Sequence, residues 1–271
     1  MKRFIVKTPK TLKDFVSESL KISKNRAKDI IDSKNVFVNN KRIWIASHQL
    51  KSGDVVEIIS ADYNFPKEEN LEIVYEDEYI IAVNKPPFIT SDRDYNSLEF
   101  KLRIKYKNND VKAIHRLDKE TSGVILFAKG YDIFQEFKKL WEDKSVKKIY
   151  LAISYNEADF QLRTIDTDLD GKEAVSTVKL LKKANGFSYF EVSIYTGRKH
   201  QIRRHLASIR HPVVGDKTYG PKKIEVGFLK SIKRHMLHAY KLEFIHPFKQ
   251  IKTTIKADIP VDFKNVLHYL K

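Results

Sequence analysis

The sequence contains no cysteine among its 271 residues. Disulfide bonds, cysteine-based zinc sites and thiolate nucleophiles are therefore excluded. Long apolar stretches are also missing, since no uninterrupted run approaches the roughly 18 residues that a membrane-spanning helix needs. The first ten residues, MKRFIVKTPK, turn polar after three apolar residues, so a secretory signal peptide is not expected. These absences predict a cytoplasmic protein without a membrane partner.

Acidic residues are scarce relative to basic ones. The chain holds 51 Lys and Arg against 35 Asp and Glu, a formal net charge of +16. Such an excess raises the local concentration of polyanions at the protein surface and accelerates encounter with them. A nucleic-acid partner is therefore favoured over the alternative, a lysine-rich surface kept for solubility. Apolar residues, at 42%, suffice for a packed core, and the length suits a large domain with a small one.

The first 60 residues predict a small basic module, with 13 Lys and Arg against 6 Asp and Glu. Thr11 is a candidate N-cap for a helix over TLKDFVSESLK. Ser23 opens a second predicted helix in which Ala27, Ile30 and Ile31 face inward. Two short basic helices therefore precede a β-rich segment.

That β-rich segment begins with VFVNNKRIWI, which predicts a hairpin around Asn39 and Asn40 because asparagine tolerates the left-handed conformation of tight turns. SGDVVEII supplies a further strand. In this order, residues 10–60 resemble the small RNA-binding domain named after a ribosomal small-subunit protein, the S-four-type module. The resemblance implies RNA contacts from basic side chains of the helices and hairpin. These are Lys24, Arg26, Lys28, Lys41 and Arg42.

We place this module at residues 1–61, a linker at 62–70 around Pro66, and a larger domain at 71–271. In the larger domain, LEIVYEDEYIIAVNK predicts two strands around an acidic turn. Further β-rich segments alternate with a few helices, and the order predicts an α+β domain on a mixed, largely antiparallel sheet. The predicted strands cover 123–128, 148–153, 187–195, 237–244 and 251–255, and the best helical candidates are 132–142 and 200–209.

The stretch IHRLDKETSGVILFAK (residues 114–129) places Asp118 on a loop directly before an apolar strand. Arg116 and Lys119 flank it, and nearby positive charge favours an ionised carboxylate. Thr121 and Ser122 can donate hydrogen bonds that orient the loop. A rigidly presented carboxylate suits a nucleophile or a general base, but a structural aspartate in a turn has the same pattern. The residues alone leave both interpretations open.

Two strands carry side chains that suit a base-binding cleft. In KKIYLA, Tyr150 points to the opposite face from Ile149 and Leu151, and stacking of a tyrosine on a nucleobase is worth about 1–3 kcal/mol. On this pattern alone, a tyrosine packed in the core is favoured. In MLHAYKLEF the apolar residues line the core, and Leu237 could also form an apolar wall near a reactive base.

The segment YTGRKHQIRRH predicts a helix with a basic first turn. His200 and His205 are five residues apart, whereas zinc ligands on one helix face lie three or four apart, so no metal site is predicted. The favoured interpretation is phosphate binding, with one arginine held against a carboxylate through its planar guanidinium. A solvated basic helix face is the alternative.

Four motifs follow one another from about Leu71 to the end: H-R-L-D-x-x-T-S-G, K-x-Y-x-A, T-G-R-x-H-Q-I-R and L-H-A-x-x-L. Together they resemble the RluA/RluD family of RNA pseudouridine synthases, and the basic N-terminal module makes the layout similar to the RluC and RluD branches. The resemblance implies that Asp118 is catalytic, that Tyr150 stacks on the target uracil, and that Arg203 pairs with the aspartate. Leu237 falls near the family's apolar contact.

The resemblance also implies that basic residues beside Asp118 and in the segment YTGRKHQIRRH contact RNA. These residues are Arg116, His115, Lys119, Arg198 and Lys199. The resemblance implies further that Arg116 intrudes into the RNA to keep the target uridine out of the stack. The reaction breaks the N1–C1′ bond, rotates the uracil and rejoins it through C5. It needs no redox step or activated donor, so no cofactor and no metal are predicted. Whether Asp118 attacks the sugar or removes a sugar proton stays open.

Large-subunit (23S) ribosomal RNA is the favoured substrate. The alternatives are a transfer-RNA enzyme of the same family, a catalytically inactive RNA-binding or ribosome-assembly protein, and a metal-dependent nuclease. We expect a monomer with no obligate protein partner. The family usually has glycine at the end of N-K-P-x-G, where this chain has Phe88, so the resemblance does not predict the conformation of that loop.

Overall fold

A computed structural model describes residues 2–20, 22–32, 36–58, 71–92, 97–221, 227 and 231–270. The chain divides into two compact units, Met1–Glu69 and Asn70–Lys271. The predicted linker at 62–70 lies outside the described residues, as does the side chain of Arg26. None of the helices in these described ranges is long and apolar enough to cross a membrane.

The N-terminal unit packs two helices against short strands. A sheet has the strand order β1-β6-β3-β4, and a separate two-stranded ladder joins β2 to β5. The elements are β1 Lys2–Ile5, β2 Lys10–Thr11, α1 Leu12–Leu20, α2 Lys24–Asp32, β3 Val36–Val38, β4 Lys41–Arg42, β5 Gln49–Leu50 and β6 Val55–Ile58.

Local signals explain these elements. The Thr11 hydroxyl accepts a hydrogen bond from the Asp14 N–H at 3.1 Å, which caps α1 as predicted. Ala27, Ile30 and Ile31 of α2 are buried in the unit's core. Asn39 and Asn40 both have positive φ, 50° and 64°, and connect β3 to β4 as the tight hairpin that the sequence predicts.

The C-terminal unit is built on a sheet of ten strands, counted over the described residues. The strand order is β12-β13-β14-β11-β15-β10-β8-β7, with β16 on β15 and β9 on β10. The elements are β7 Ile73–Glu76, β8 Ile80–Lys85, α3 Leu98–Tyr106, β9 Lys112–Ala113, β10 Ser122–Ala128, α4 Tyr131–Glu142, β11 Lys147–Tyr155, β12 Leu162–Asp166, β13 Val175–Ala184, β14 Phe187–Ile194, α5 Gln201–Ser208, β15 Leu237–Ile245, β16 Lys252–Lys256 and α6 Val261–His268.

The sheet is mixed and largely antiparallel. Among the pairings of the described strands, β10 with β15 is parallel and the others are antiparallel. The α+β prediction is therefore confirmed, and so are the two helices predicted within this unit, which are α4 and α5. All seven residues of β10 are buried, which explains why this strand has a continuous apolar run instead of an alternating pattern.

Two helices were not predicted from the sequence, α3 and α6. In α3 the Ser97 hydroxyl accepts a hydrogen bond from the Phe100 N–H at 3.2 Å, and only Leu98 and Leu102 are buried. In α6, Phe263 and Val266 are the buried residues. Each helix buries two residues spaced by three or four, a pattern too short to stand out among the surrounding charged residues.

Candidate active site

Asp118 lies on the loop between β9 and β10, and three contacts hold that loop. The Ser91 hydroxyl exchanges hydrogen bonds with the backbone of Leu117, at 3.0 and 3.1 Å. The Thr121 N–H donates to the carbonyl of Asp118 at 3.0 Å. The ammonium group of Lys85 donates to the carbonyl of Lys119 at 3.2 Å. The Asp118 backbone is therefore bound on both sides, as a positioned carboxylate requires.

The start of β10 fits closely against β15. Gly123 pairs with Ala239 in the parallel ladder, and a Cβ atom at Gly123 would lie 2.1 Å from the Ala239 carbonyl oxygen. Gly123 also has a φ of +116°, which a residue with a side chain rarely adopts. Only glycine therefore allows β10 to approach β15 at the end of the strand that carries the Asp118 loop.

Arg203 of α5 connects two carboxylates. Its Nη1 donates to Asp118 Oδ2 at 3.2 Å. Its Nε and Nη2 donate to the two carboxylate oxygens of Asp216, at 2.6 and 2.7 Å. The Arg203 side chain is 7% exposed and the Asp216 side chain is fully buried, whereas Asp118 is 35% exposed. Asp216 thus fixes the guanidinium plane, and one remaining nitrogen faces the more accessible Asp118.

Burial and charge oppose each other in this triad. Burial acts to lower the pKa of Arg203, but hydrogen bonds and charge from Asp216, with Asp118, outweigh it and raise the pKa. Burial likewise acts to raise the pKa of Asp216, but Arg203 and the backbone N–H groups of Tyr219 and Thr218 hold it below its usual value. Arg203 therefore stays cationic and Asp216 anionic, and a fixed positive charge lies beside Asp118.

The segment before α5 is ordered by Gln201. Its side-chain oxygen accepts from the Arg198 N–H and the Thr196 hydroxyl, at 3.0 and 2.9 Å. His200 follows in a left-handed conformation, with a φ of 55°. Its Nδ1 lies 3.1 Å from the Tyr219 hydroxyl and its Nε2 lies 3.8 Å from Asp118 Oδ2. Burial, which outweighs the opposing charge of Asp118, lowers the pKa of His200. A neutral imidazole therefore borders the carboxylate.

Tyr150 and Leu237 meet Asp118 and Arg203 around one small cavity of about 100 Å³. Tyr150 is half-buried in β11, where the β11–β15 register shifts between Ile149 and Tyr150. A bulge of this kind changes the direction of side chains. Burial, with a further contribution from the charge of Asp118, raises the pKa of Tyr150, so its phenol stays protonated. The four residues, each predicted from a different motif, thus line one cavity.

A larger cleft of about 690 Å³ opens over Asp118. Among the described residues that line it, six are Lys or Arg and two are Asp or Glu. The basic residues are Arg116, Lys119, Arg198, Lys199, Arg203 and Lys217. Such a cleft concentrates polyanions at its mouth. Arg116 is 60% exposed and its Nε lies 2.9 Å from Asp92 Oδ1.

His115 does not line the cleft over Asp118. Its ring stacks on Trp141 of α4, with centroids 4.8 Å apart, and its Nε2 accepts the Leu126 N–H at 3.2 Å. Burial lowers the pKa of His115 to about 3, with a further contribution from the charge of Lys148. The structure therefore gives this residue a packing role as a neutral ring, and the RNA contact predicted for it has no support in the geometry.

The basic residues predicted in the N-terminal unit are exposed where their side chains are described. Lys24 pairs with Asp14 at 2.8 Å and Lys28 with Asp32 at 2.6 Å. The Arg42 guanidinium lies 5.0 Å from the centroid of the Phe37 ring. Lys41 is exposed beside it, and the Arg26 side chain lies outside the described residues. RNA contacts by these residues stay a prediction.

Sequence reasoning missed Asp216, His200 and Lys85 as parts of the site. The sequence signal for Asp216 was the segment GDKTYG, in which Gly215 and Gly220 flank it. The structure requires both glycines, since a Cβ atom at either one would lie within 2.3 Å of a backbone oxygen. Lys85 is fully buried and donates to three carbonyls, those of Pro86, Ile89 and Lys119. Burial, with repulsion from Arg234, lowers its pKa to about 7.

The buried histidines that hold this loop predict a pH dependence of stability. Thr121 Oγ1 lies 2.7 Å from His235 Nε2, and Ser122 Oγ lies 2.9 Å from His238 Nδ1. Burial lowers the pKa of both rings to about 4, and the charge of Arg203 further lowers that of His235. Unfolded histidine titrates near 6.5. Below that pH the unfolded chain binds more protons than the folded chain, so stability falls from about pH 6.5 to about pH 4.

We expect each of these two rings to cost about 1 kcal/mol of unfolding free energy per pH unit within that window. Urea unfolding at pH 7, 6 and 5 measures the slope, and His238→Gln should make it shallower by about one ring's share. The carboxylates with a lowered pKa act only at lower pH. A stability that does not change between pH 6.5 and 4 would contradict the neutral state of these histidines.

Comparisons with known proteins identify the family of this chain. The family described as RNA pseudouridylate synthase matches residues 79–208, and the S4 domain matches residues 11–56. An uncharacterized RNA pseudouridine synthase of Helicobacter pylori strain J99 is 36% identical, with 83% of this chain and 89% of the relative covered.

Two further relatives have substrates in their names. A ribosomal large subunit pseudouridine synthase C of Buchnera aphidicola subsp. Baizongia pistaciae is 31% identical, with 89% of this chain and 87% of the relative covered. A tRNA pseudouridine synthase C of Vibrio cholerae is 34% identical, with 73% of this chain and 94% of the relative covered.

Solved structures of other proteins have a similar fold. The human protein named RNA Pseudouridylate Synthase Domain Containing 4 has a TM-score of 0.63 and 24% identity, covering 73% of this chain and 92% of that chain. The fold, the basic cleft and these matches define an RNA-modifying isomerase. The chain belongs to the RNA pseudouridine synthase family, as a member of the RluA/RluD type with an N-terminal S4 domain.

Proposed function

We propose that Asp118 is the carboxylate that acts on the target uridine. The observation that supports this role is the arrangement around it: an accessible carboxylate, fixed at both ends of its loop, 3.2 Å from the guanidinium of Arg203. The Arg203 charge is held in place by Asp216, so it needs no reorganisation when charge develops during the reaction. Asp118 either attacks C1′ of the ribose or removes a sugar proton.

The reaction rearranges bonds within one nucleotide. The N1–C1′ bond breaks, the uracil rotates, and C5 forms the new bond to C1′. The C5 proton leaves to water, and N1 gains a proton. No electron acceptor or group donor enters this balance. The residues of the chain therefore have three tasks: they hold the base, place the carboxylate at the sugar, and keep the base close after the bond breaks.

Tyr150 and Leu237 are the proposed base contacts. Both line the cavity that also contains Asp118 and Arg203. A uridine inside a helix cannot reach this cavity unless it leaves the stack, which costs a few kcal/mol of pairing and stacking. Stacking on the Tyr150 ring offsets part of that cost. Arg116, which is mostly exposed at the cleft, is the side chain proposed to take the place of the flipped base.

Large-subunit ribosomal RNA is the proposed substrate, and transfer RNA is the second candidate. The observation that favours ribosomal RNA is the extent of the match. The Buchnera relative named for the large ribosomal subunit aligns with 89% of this chain, a larger share than the C-terminal unit alone supplies. The Vibrio relative named for tRNA aligns with 73%. The N-terminal basic residues then add contacts on ribosomal RNA.

Tritium release from C5-labelled uridine tests the substrate. We expect the full chain to release tritium from a large-subunit ribosomal RNA transcript and not from total transfer RNA. Mapping pseudouridine in total RNA from a deletion strain against wild type identifies the position. Release from transfer RNA alone would assign the protein to the second candidate. Binding of RNA without release from either pool would favour an inactive RNA-binding protein.

A further inference from the structure

Phe88 has a backbone conformation that does not suit its side chain. Its φ is +71°, in the left-handed region that is rare for a bulky residue. The Phe88 N–H donates to the carbonyl of Lys119 at 2.7 Å, the same carbonyl that accepts from Lys85. The loop is therefore pinned to the residue that follows Asp118, and glycine would adopt this backbone without strain. Strain of this kind persists at functional sites.

The Phe88 ring is 48% exposed and lines a cavity of about 650 Å³. Ile232, Met236 and Tyr269 add apolar and aromatic surface, and Lys233 and His268 add basic groups. Lys233 is exposed, so its ammonium group can meet an anion at the rim. This combination of an aromatic face and a nearby cation is how proteins hold single-stranded nucleotides.

Charge at this cavity favours an anionic occupant. The carboxylate that lines it, Asp262, is bound to the Arg234 guanidinium at 2.6 and 3.0 Å. Arg234 also donates to the carbonyl of Glu120, in the Asp118 loop, at 3.1 Å. The charge of Asp262 is thus neutralised by Arg234, which is also hydrogen-bonded to the loop that carries Asp118. Lys233 is then the cation at the cavity rim that can attract a phosphate.

The cavity adjoins the active site through the backbone. Met236 immediately precedes Leu237, the proposed wall of the uridine cavity, and Phe88 is hydrogen-bonded to the residue after Asp118. These two connections place the cavity next to the residues that surround Asp118. We propose that a nucleotide flanking the target uridine lies in this cavity, with its base stacked on the Phe88 ring and its phosphate near Lys233. The inference rests on the family's action on RNA and not on which RNA is modified.

Two substitutions at Phe88 separate stacking from structure. Phe88→Gly removes both the ring and the left-handed strain, so we expect Kd for RNA to rise about tenfold while Tm rises by about 2 °C. Phe88→Tyr keeps an aromatic face and should bind RNA as the wild type does. Filter binding of the full chain to a large-subunit ribosomal RNA transcript, with total transfer RNA as a second probe, measures Kd directly and does not depend on turnover.

A lysine pair tests the phosphate contact. Lys233→Gln should reduce the slope of log Kd against log salt by about 0.7, as expected for one lost contact to single-stranded RNA. Lys264→Gln is the matched control, an exposed lysine of α6 that does not line the cavity, and its slope should equal that of the wild type.

Three outcomes would overturn the proposal. An unchanged Kd for Phe88→Gly with both probes would show that the ring does not touch RNA. Weakening by Phe88→Tyr equal to that of Phe88→Gly would rule out stacking. A fall in Tm for Phe88→Gly together with equal loss of RNA affinity in Phe88→Tyr would show that the substitution acts through the stability of the loop and not through stacking. None of these results depends on the role of Asp118.

Discussion

Asp118→Asn is expected to reduce the single-turnover rate of tritium release by about 10⁴-fold or more, as for removal of acting nucleophiles in other enzymes. Asparagine keeps the size of the side chain and one oxygen for the Arg203 contact, but it loses the negative charge and the nucleophilic oxygen. Neither attack on C1′ nor removal of a sugar proton is then available. The assay uses the RNA pool that the wild-type protein modifies.

Asp170→Asn is the matched control for this experiment. Asp170 is also an aspartate paired with an arginine of α5, Arg204, at 2.9 Å, but its side chain is 68% exposed and it does not line the cleft. Its release rate should stay within a factor of two of the wild type. RNA affinity and thermal unfolding of Asp118→Asn are measured alongside, and we expect both to stay close to wild type. Retained turnover in Asp118→Asn would show that another group acts on the uridine.

Asp216→Asn is expected to lower kcat by about 100-fold, because the guanidinium that faces Asp118 loses the partner that fixes its plane. The Asp216 side chain is fully buried and binds the guanidinium of Arg203, so we regard it as a positioning residue that acts through Arg203. The substitution also places an amide NH2 against a buried guanidinium, and breaking a buried pair in this way costs about 3–5 kcal/mol of stability. Kinetics are therefore measured well below the Tm of the variant.

If Asp216 had only a structural role, Asp216→Asn would leave kcat unchanged in the folded fraction. Asp77→Asn is the control that shows what the loss of a buried carboxylate away from the site does to kcat. Asp77 is a second buried carboxylate, with the Lys249 ammonium at 2.8 Å and the backbone N–H groups of Tyr79 and Ile80 as donors. Burial acts to raise its pKa, but these donors lower the pKa to about 2. Asp77→Asn should lose stability and keep its kcat. Equal kcat values for the two variants, with equal Kd for RNA, would contradict the positioning role.

Local signals explain why much of the fold was predictable. The Thr11 cap, the Asn39-Asn40 turn and the apolar run of β10 each lie within a few residues, so their physical basis is present in short stretches of sequence. The helices α3 and α6 were not predicted, since each buries only two residues and their stability comes from packing against the rest of the unit. Secondary structure was predictable where it is locally encoded.

For the candidate site, too, the sequence predicted some features and not others. The residues proposed to carry the chemistry, Asp118, Tyr150 and Arg203, were identified from motif and residue type, and the family that the motifs imply was confirmed. His115 belongs to the same motif as Asp118, yet its ring packs on Trp141. A motif preserves the order of residues along a loop, but the direction of each side chain depends on the surface beneath it.

The sequence by itself identified the class of enzyme, because its four motifs occur in the same order as in the RNA pseudouridine synthases that they resemble, and it determined the basic net charge that favours an RNA partner. Tertiary structure alone decided how the charge at the site is arranged. Arg203 meets carboxylates that lie 13 and 85 residues away along the chain. The longer of these separations closes only in the folded unit, where α5 packs against β13 and the Asp118 loop leads into β10 of the same sheet. Phe88 shows the same dependence: its left-handed backbone follows from the carbonyl of Lys119, a contact that no short stretch of sequence contains.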